Sequence, residues 1–169
     1  LDSGKPGEVL SIAGVPKDTD YVVGNFRGTP LKDFVFYTSG ESEIRVSTLE
    51  EAGGKFKASA LKTVPLGRAV RQLVTVDGDK KSRLLAIFGD EEPAELLDFD
   101  AANAPVKAQT MVGITNRYLS AAIALPDAIA LFSFIAPATN HAQARSVSAY
   151  DLYFLKGGSF VPGVSGGLP

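Results

Sequence analysis

Two apolar runs set the frame for this chain. Lys32-Asp33-Phe34-Val35-Phe36-Tyr37 and Ser82-Arg83-Leu84-Leu85-Ala86-Ile87 stand fifty positions apart. Phe56 and Val106, each opening a later apolar segment, are separated by the same fifty positions. Two independent landmarks with one spacing define a repeat. Each unit reads as strand, polar loop, apolar strand, turn, alternating strand, turn, outer strand. Four short strands in about 40–50 residues is the sequence pattern of a β-propeller blade. The expected fold is therefore all-β, with blades of four antiparallel strands and about three to three and a half blades in the chain.

In the first unit, about 20–66, Tyr21 to Phe26 is the first expected strand and Lys32 to Ser39 the second. The run Phe34-Val35-Phe36-Tyr37 is short for a helix and rich in aromatic and β-branched residues, as suits a strand buried on both faces. Phe34 and Phe36 are expected to lie deep in the core. Glu43 to Leu49 alternates Ile44, Val46 and Thr48 with polar residues, which marks a half-exposed strand. Gly53-Gly54 makes a turn into an outer strand at Phe56 to Val64. The second unit covers about 67–113, with strands at 70–76, 83–88, 94–99 and 106–112. The third covers about 114–162, with strands at 118–125, 128–135 and 147–155. Residues 8–15 precede the first unit and are expected to form the outer strand of an incomplete blade. Helix formers occur at 92–100 and 117–125, but Gly and Pro bracket both stretches and no capping box opens them.

Composition narrows the function. Net charge is −2 and the pI about 5.4, so nothing electrostatic draws the chain to nucleic acid or an anionic membrane. No apolar run approaches 18 residues, so no membrane-inserting helix is expected. The chain has no cysteine and one histidine, His141. Thiolate chemistry and Cys-ligated zinc are excluded, and a Ser-His-Asp triad has a single possible base.

Gly24-Asn25-Phe26-Arg27-Gly28-Thr29-Pro30-Leu31-Lys32-Asp33-Phe34-Val35-Phe36 resembles the FG-GAP/VCBS repeat, whose pattern is Gly-Asp-Phe-Asn-Gly-Asp-Gly, a spacer, Asp and an apolar strand. Gly-Gly-Lys-Phe at 53–56 and Gly-Gly-Ser-Phe at 157–160 resemble that family's Gly-Gly-x-Phe. Val76-Asp77-Gly78-Asp79 is a weaker copy of the first loop. The resemblance spans about Tyr21 to Phe160. It implies a propeller, often of seven blades, and an extracytoplasmic adhesion or binding protein, periplasmic or secreted. It also implies calcium in the first loop of a unit. The candidate ligands are Asn25 and Asp33 in the first unit and Asp77 and Asp79 in the second; the third has only Asp127. Hard cations need six or more oxygens. Arg27 and Thr29 stand where further ligands are expected, and Lys80 and Lys81 follow the second pair. No metal site and no other cofactor are assigned.

Other chemistry-bearing residues have plain structural readings. Asp90-Glu91-Glu92 reads as a solvated turn and His141 as a loop residue. Asp98 and Asp100 flank Phe99 and are expected on the wet face of an outer strand. Arg68, Arg71, Lys80, Lys81 and Arg83 form a mild basic cluster suited to a blade rim or a partner-binding patch. No catalytic residue is assigned. The expected function is a non-catalytic scaffold for protein–protein or surface interaction. The alternative is carbohydrate binding, weakened by the absence of Trp; an enzyme subunit comes third. A chain opening on Leu1 with three units and an orphan strand is expected to be part of a larger propeller. It should associate with the propeller's second half, a partner protein or a second copy, through the first unit and the strands after Ala128.

Overall fold

Two glycine pairs set the hairpin geometry. Gly53 and Gly54 have φ of 61° and 76°, and Gly157 and Gly158 have 58° and 84°. Each pair joins strands through a two-residue loop, Ala52 facing Lys55 and Lys156 facing Ser159. Such loops need positive φ at both positions to match strand twist, and glycine supplies it without a Cβ clash.

The structure is a computed structural model describing residues 9–89, 92–100, 102, 104–111, 117–135 and 149–168. These contain thirteen strands and no helix. Sheet one comprises β1 (Asp20–Gly24), β2 (Asp33–Tyr37), β3 (Glu43–Ala52), β4 (Lys55–Ala58) and β5 (Lys62–Pro65). Sheet two comprises β6 (Gln72–Val76), β7 (Arg83–Ile87), β8 (Ala94–Phe99) and β9 (Pro105–Met111). Sheet three comprises β10 (Arg117–Leu125), β11 (Ala128–Ile135), β12 (Ala149–Lys156) and β13 (Ser159–Gly167). All pairings are antiparallel, and in each sheet the strands follow chain order. In sheet one β4 and β5 both pair with β3, at opposite ends.

That split corrects the single outer strand expected at Phe56 to Val64. Ser59 is the cause. Its N–H donates to Thr48 O at 2.9 Å, its Oγ accepts from Thr48 N at 2.9 Å, and its carbonyl accepts from Ser47 Oγ at 2.8 Å. These bonds satisfy the polar groups locally and break the ladder between β4 and β5.

The sheets stack in an open series with sheet two in the middle. Its β7 is buried on both faces: Leu84, Leu85, Ala86 and Ile87 are all 0% exposed. Leu84 and Ala86 join Val35, Tyr37, Ile44 and Val46 in one core. Leu85 and Ile87 join Leu119, Ile129, Leu131 and Tyr153 in the other. Alternation along one strand thus serves two cores, so the run carries no polar residue between Arg83 and Ile87. The first strands of the three sheets are neighbours, β6 lying against β1 and β10.

Side chains also join the sheets to each other's backbone. Gln72 Oε1 accepts from Ala122 N at 3.0 Å, beside the irregularity between Leu119 and Ala121 in β10. Gln109 Oε1 accepts from Phe160 N at 3.0 Å, and its Nε2 donates to Phe160 O. Each amide does for a foreign strand what a ladder partner would do.

Two expectations need correction. Val9 to Val15 is in no strand: a turn lies at Ala13-Gly14, where Gly14 has φ 81°, and Val9 is 84% exposed. A strand needs a ladder neighbour, and this segment joins none of the three sheets. Phe34 and Phe36, two positions apart, share one face of β2. Phe36 is buried as expected, at 7% exposed, whereas Phe34 is only half-buried; their face points away from sheet two, while Val35 and Tyr37 enter the core shared with it.

Candidate functional site

The loop joining β1 to β2 and the loop joining β6 to β7 meet at one end of the stack. Asn25 N donates to Ser82 Oγ at 2.9 Å, and Ser82 N donates to Asn25 O at 2.8 Å. Ser82 Oγ donates in turn to Asp77 Oδ1 at 2.7 Å. Asp33, only 1% exposed, receives Arg27 from two sides. Arg27 Nε donates to Asp33 Oδ1 at 2.7 Å, and the Arg27 backbone N–H donates to Oδ2 at 3.2 Å. The guanidinium also donates to Leu49 O at 2.9 Å.

Of the four calcium candidates, Asn25 and Asp77 are brought to one junction by Ser82. Asp33 is engaged by a resident cation, and Asp79 is solvent-exposed. Among the described residues no three His, Cys, Asp or Glu side chains come together as a metal group. With the Arg27 guanidinium on Oδ1 and the Arg27 backbone N–H on Oδ2, Asp33 fits poorly with a hard cation at the same carboxylate.

The basic cluster is dispersed. Arg68 pairs with Glu92 and Glu95, both at 2.7 Å, and lies 3.8 Å from the centre of the Phe88 ring. Arg71 donates to Leu119 O at 2.9 Å, and Arg83 to Gly158 O at 3.0 Å. Lys81 pairs with Asp98 at 3.2 Å, and Lys80 is exposed. Proximity in sequence did not become one patch: Arg68 and Arg71 lie in the connection before β6, Lys80 and Lys81 in the loop after it, and only Arg83 on a strand, each with different neighbours.

The acidic residues follow suit. Asp98 lies on β8, the third strand of its sheet and not an outer one. Asp100 Oδ1 accepts from Ala102 N and Ala104 N, both at 2.9 Å, closing the turn before β9. Asp90, Glu91 and His141 lie outside the described residues. Two tyrosines are perturbed. Burial pushes the Tyr37 hydroxyl above its ordinary pKa, a backbone hydrogen bond at Leu73 pulls it down, and Asp20 adds an upward push. Burial and then Asp151 raise Tyr153.

The largest unmatched chemistry is apolar and lies at the two ends of the stack. On sheet one the face away from sheet two carries Tyr21, Val23 and the half-buried Phe34 beside the buried Phe36, with Arg45 and Ser47 of β3 opposite Phe36 and Phe34. Tyr21 is 63% exposed, and the Tyr21 and Phe36 rings are 6.2 Å apart. On sheet three the face away from sheet two carries Ile123, Leu125, Phe132, Leu152 and Phe154. Ile123 is 51% exposed and Leu125 46%. Cross-strand register places these side chains together, Ile123 opposite Ala130 and Ala130 opposite Leu152. Phe154 lies flat over Gly163, leaving no room there for a Cβ. The alternation that marks these faces is visible in the sequence, but which face a neighbour would cover is not.

Comparison with known proteins returns no match, neither a protein-family profile nor a curated protein sequence.

Proposed function

We propose that this chain is a non-catalytic scaffold of β-propeller blades, of the FG-GAP/VCBS kind, that works by protein–protein or surface association. The observation that carries the reading is the pair of apolar sheet faces at the two ends of the stack. Contiguous exposed apolar surface of this kind marks an interaction site. The repeated four-strand unit and the adjacency of β1, β6 and β10 support blades arranged around a common axis. The partner is a further set of blades, another protein or a second copy. Calcium plays no part in the association. The extracytoplasmic location rests on the resemblance alone.

Light scattering of the purified chain at micromolar concentration tests this. Association, or a monomer whose faces bind an apolar dye, is the expected result. A monodisperse monomer that binds no such dye would remove the reading. Carbohydrate binding is a second reading, favoured by the exposed Tyr21 ring beside Phe36. A glycan array tests it, and no binding is expected.

A further inference from the structure

We infer that Gln72 and Gln109 guard the two free edges of sheet three, each holding backbone groups that a strand from another molecule would otherwise pair with. β10 and β13 are the edge strands of that sheet. Gln72 reaches β10 from β6, and Gln109 reaches β13 from β9, so the two edge strands of sheet two each send one amide across. Gln72 Oε1 accepts from Ala122 N at 3.0 Å, and its Nε2 donates to Ala122 O at 3.5 Å. Gln109 does the same at Phe160: Oε1 accepts from the N–H at 3.0 Å, and Nε2 donates to the carbonyl. A primary amide holds an acceptor and a donor in one plane, as a peptide group does, so it fills both places of a ladder partner.

Both edges carry further obstacles beside the amide. On β13 the backbone orientation repeats every second residue, so Pro162 turns its nitrogen outward as Phe160 does, and it has no N–H to offer. The register with β12 then shifts between Asp151 and Tyr153. On β10, Arg71 Nη1 donates to Leu119 O at 2.9 Å, and the register with β11 shifts between Leu119 and Ala121. Irregular pairing, proline and occupied backbone groups all hinder a strand that approaches an edge.

Composition explains why sheet three needs this protection. Lysine on an edge strand ordinarily keeps it from pairing with another chain. The outer strands of sheets one and two have it: Lys55 and Lys57 in β4, Lys62 in β5 and Lys107 in β9. β13 reads Ser-Phe-Val-Pro-Gly-Val-Ser-Gly-Gly, without a charge, and its Val164 is 52% exposed. In β10 the only charged residue is Arg117, at its start. Uncharged, apolar strands are what intermolecular sheets grow from. Both amide contacts lie inside the stack, between sheets two and three, and leave its outer faces untouched. Guarding of the edges is therefore independent of face-to-face association.

Thioflavin T fluoresces on intermolecular cross-β sheet rather than on face-to-face contact, so it separates the two kinds of association. The double variant Gln72→Ala, Gln109→Ala should keep the circular dichroism of the parent. Its amides at Ala122 and Phe160 should exchange hydrogen about tenfold faster, as the loss of one hydrogen bond implies. It should also show thioflavin-positive growth under conditions where the parent shows none. Each single variant should release its own amide alone. Gln109→Glu keeps the side chain's size and the acceptor for Phe160 N–H but sets a carboxylate against Phe160 O. It should promote growth as Gln109→Ala does, and it carries the test if the alanine pair does not fold. Faster exchange without growth would make the glutamines mere ties between sheets and overturn the inference. Growth equal to the parent's, or growth that only tracks the unfolded fraction in urea, would overturn it as well.

Discussion

Asp33 illustrates how a single side chain holds the first unit. Its carboxylate is buried, and it collects the Arg27 guanidinium and the Arg27 N–H in one place. Removing one partner of such a pair leaves the other charge without its match. Asp33→Ala should lower stability by about 3 kcal/mol, read from urea unfolding, because Arg27 is partly hydrated and keeps its bond to Leu49. A chelator should leave the melting temperature of the parent unchanged. The tyrosines give a pH signature of definite sign. Tyr37 and Tyr153 have folded-state pKa values above the ordinary 10.0. Their contribution is complete below 10.0 and is lost as pH rises through the higher folded values. Melting temperature should fall above pH 10 more steeply in the parent than in Tyr37→Phe; equal slopes would remove Tyr37 as a contributor. The resemblance of Asn25 and Asp33 to loop ligands was legible in the sequence. That Asp33 would be taken by Arg27 was not, because it depends on how the loop folds back over β2.

At the level of elements, the middle sheet and the end sheets differ in what covers them. β7 has a packed neighbour on each face, so Leu85→Ala opens a cavity on one side that the other side cannot collapse to fill. The cost should be about 3–4 kcal/mol by chemical denaturation. Phe34 is also large, but one side of its environment is solvent or a partner. Phe34→Ala should cost about 1–2 kcal/mol in a dilute monomer, and more where the chain is associated. Equal losses in the two variants under dilution would mean that the outer face of sheet one is covered. The two apolar runs at β2 and β7 look alike in sequence, since both lack polar alternation. Their difference arises from position in the stack, which no local pattern encodes. The failure of 9–15 to form a strand has the same origin. Strand composition is local, whereas a ladder partner is supplied by the rest of the molecule.

For the molecule as a whole, the open stacking of the sheets is the property that sets behaviour. A closed ring hides every sheet face, whereas a series of three sheets leaves one at each end. Association should therefore respond to substitution on either end face and remain indifferent to Lys80, which is exposed on a loop. Phe132→Asp should reduce association at least tenfold by sedimentation, with Lys80→Ala unchanged; a change in the reverse order would assign the interface to the loop end. What the amino-acid sequence determined by itself was the all-β class, the fifty-residue unit and the glycine turns. Period-two apolarity, β-branched composition and positive-φ requirements act within a few residues, so they can be read along the chain. What only the tertiary structure decided was which face of each strand meets a neighbour, how the basic and acidic residues were shared among separate partners, and which apolar faces were left uncovered. Those outcomes depend on contacts beyond the reach of a local pattern, such as Arg68 with Glu92, Gln109 with Phe160 and Thr75 with Val23, and a strand's alternation is the same whichever of its two faces is buried.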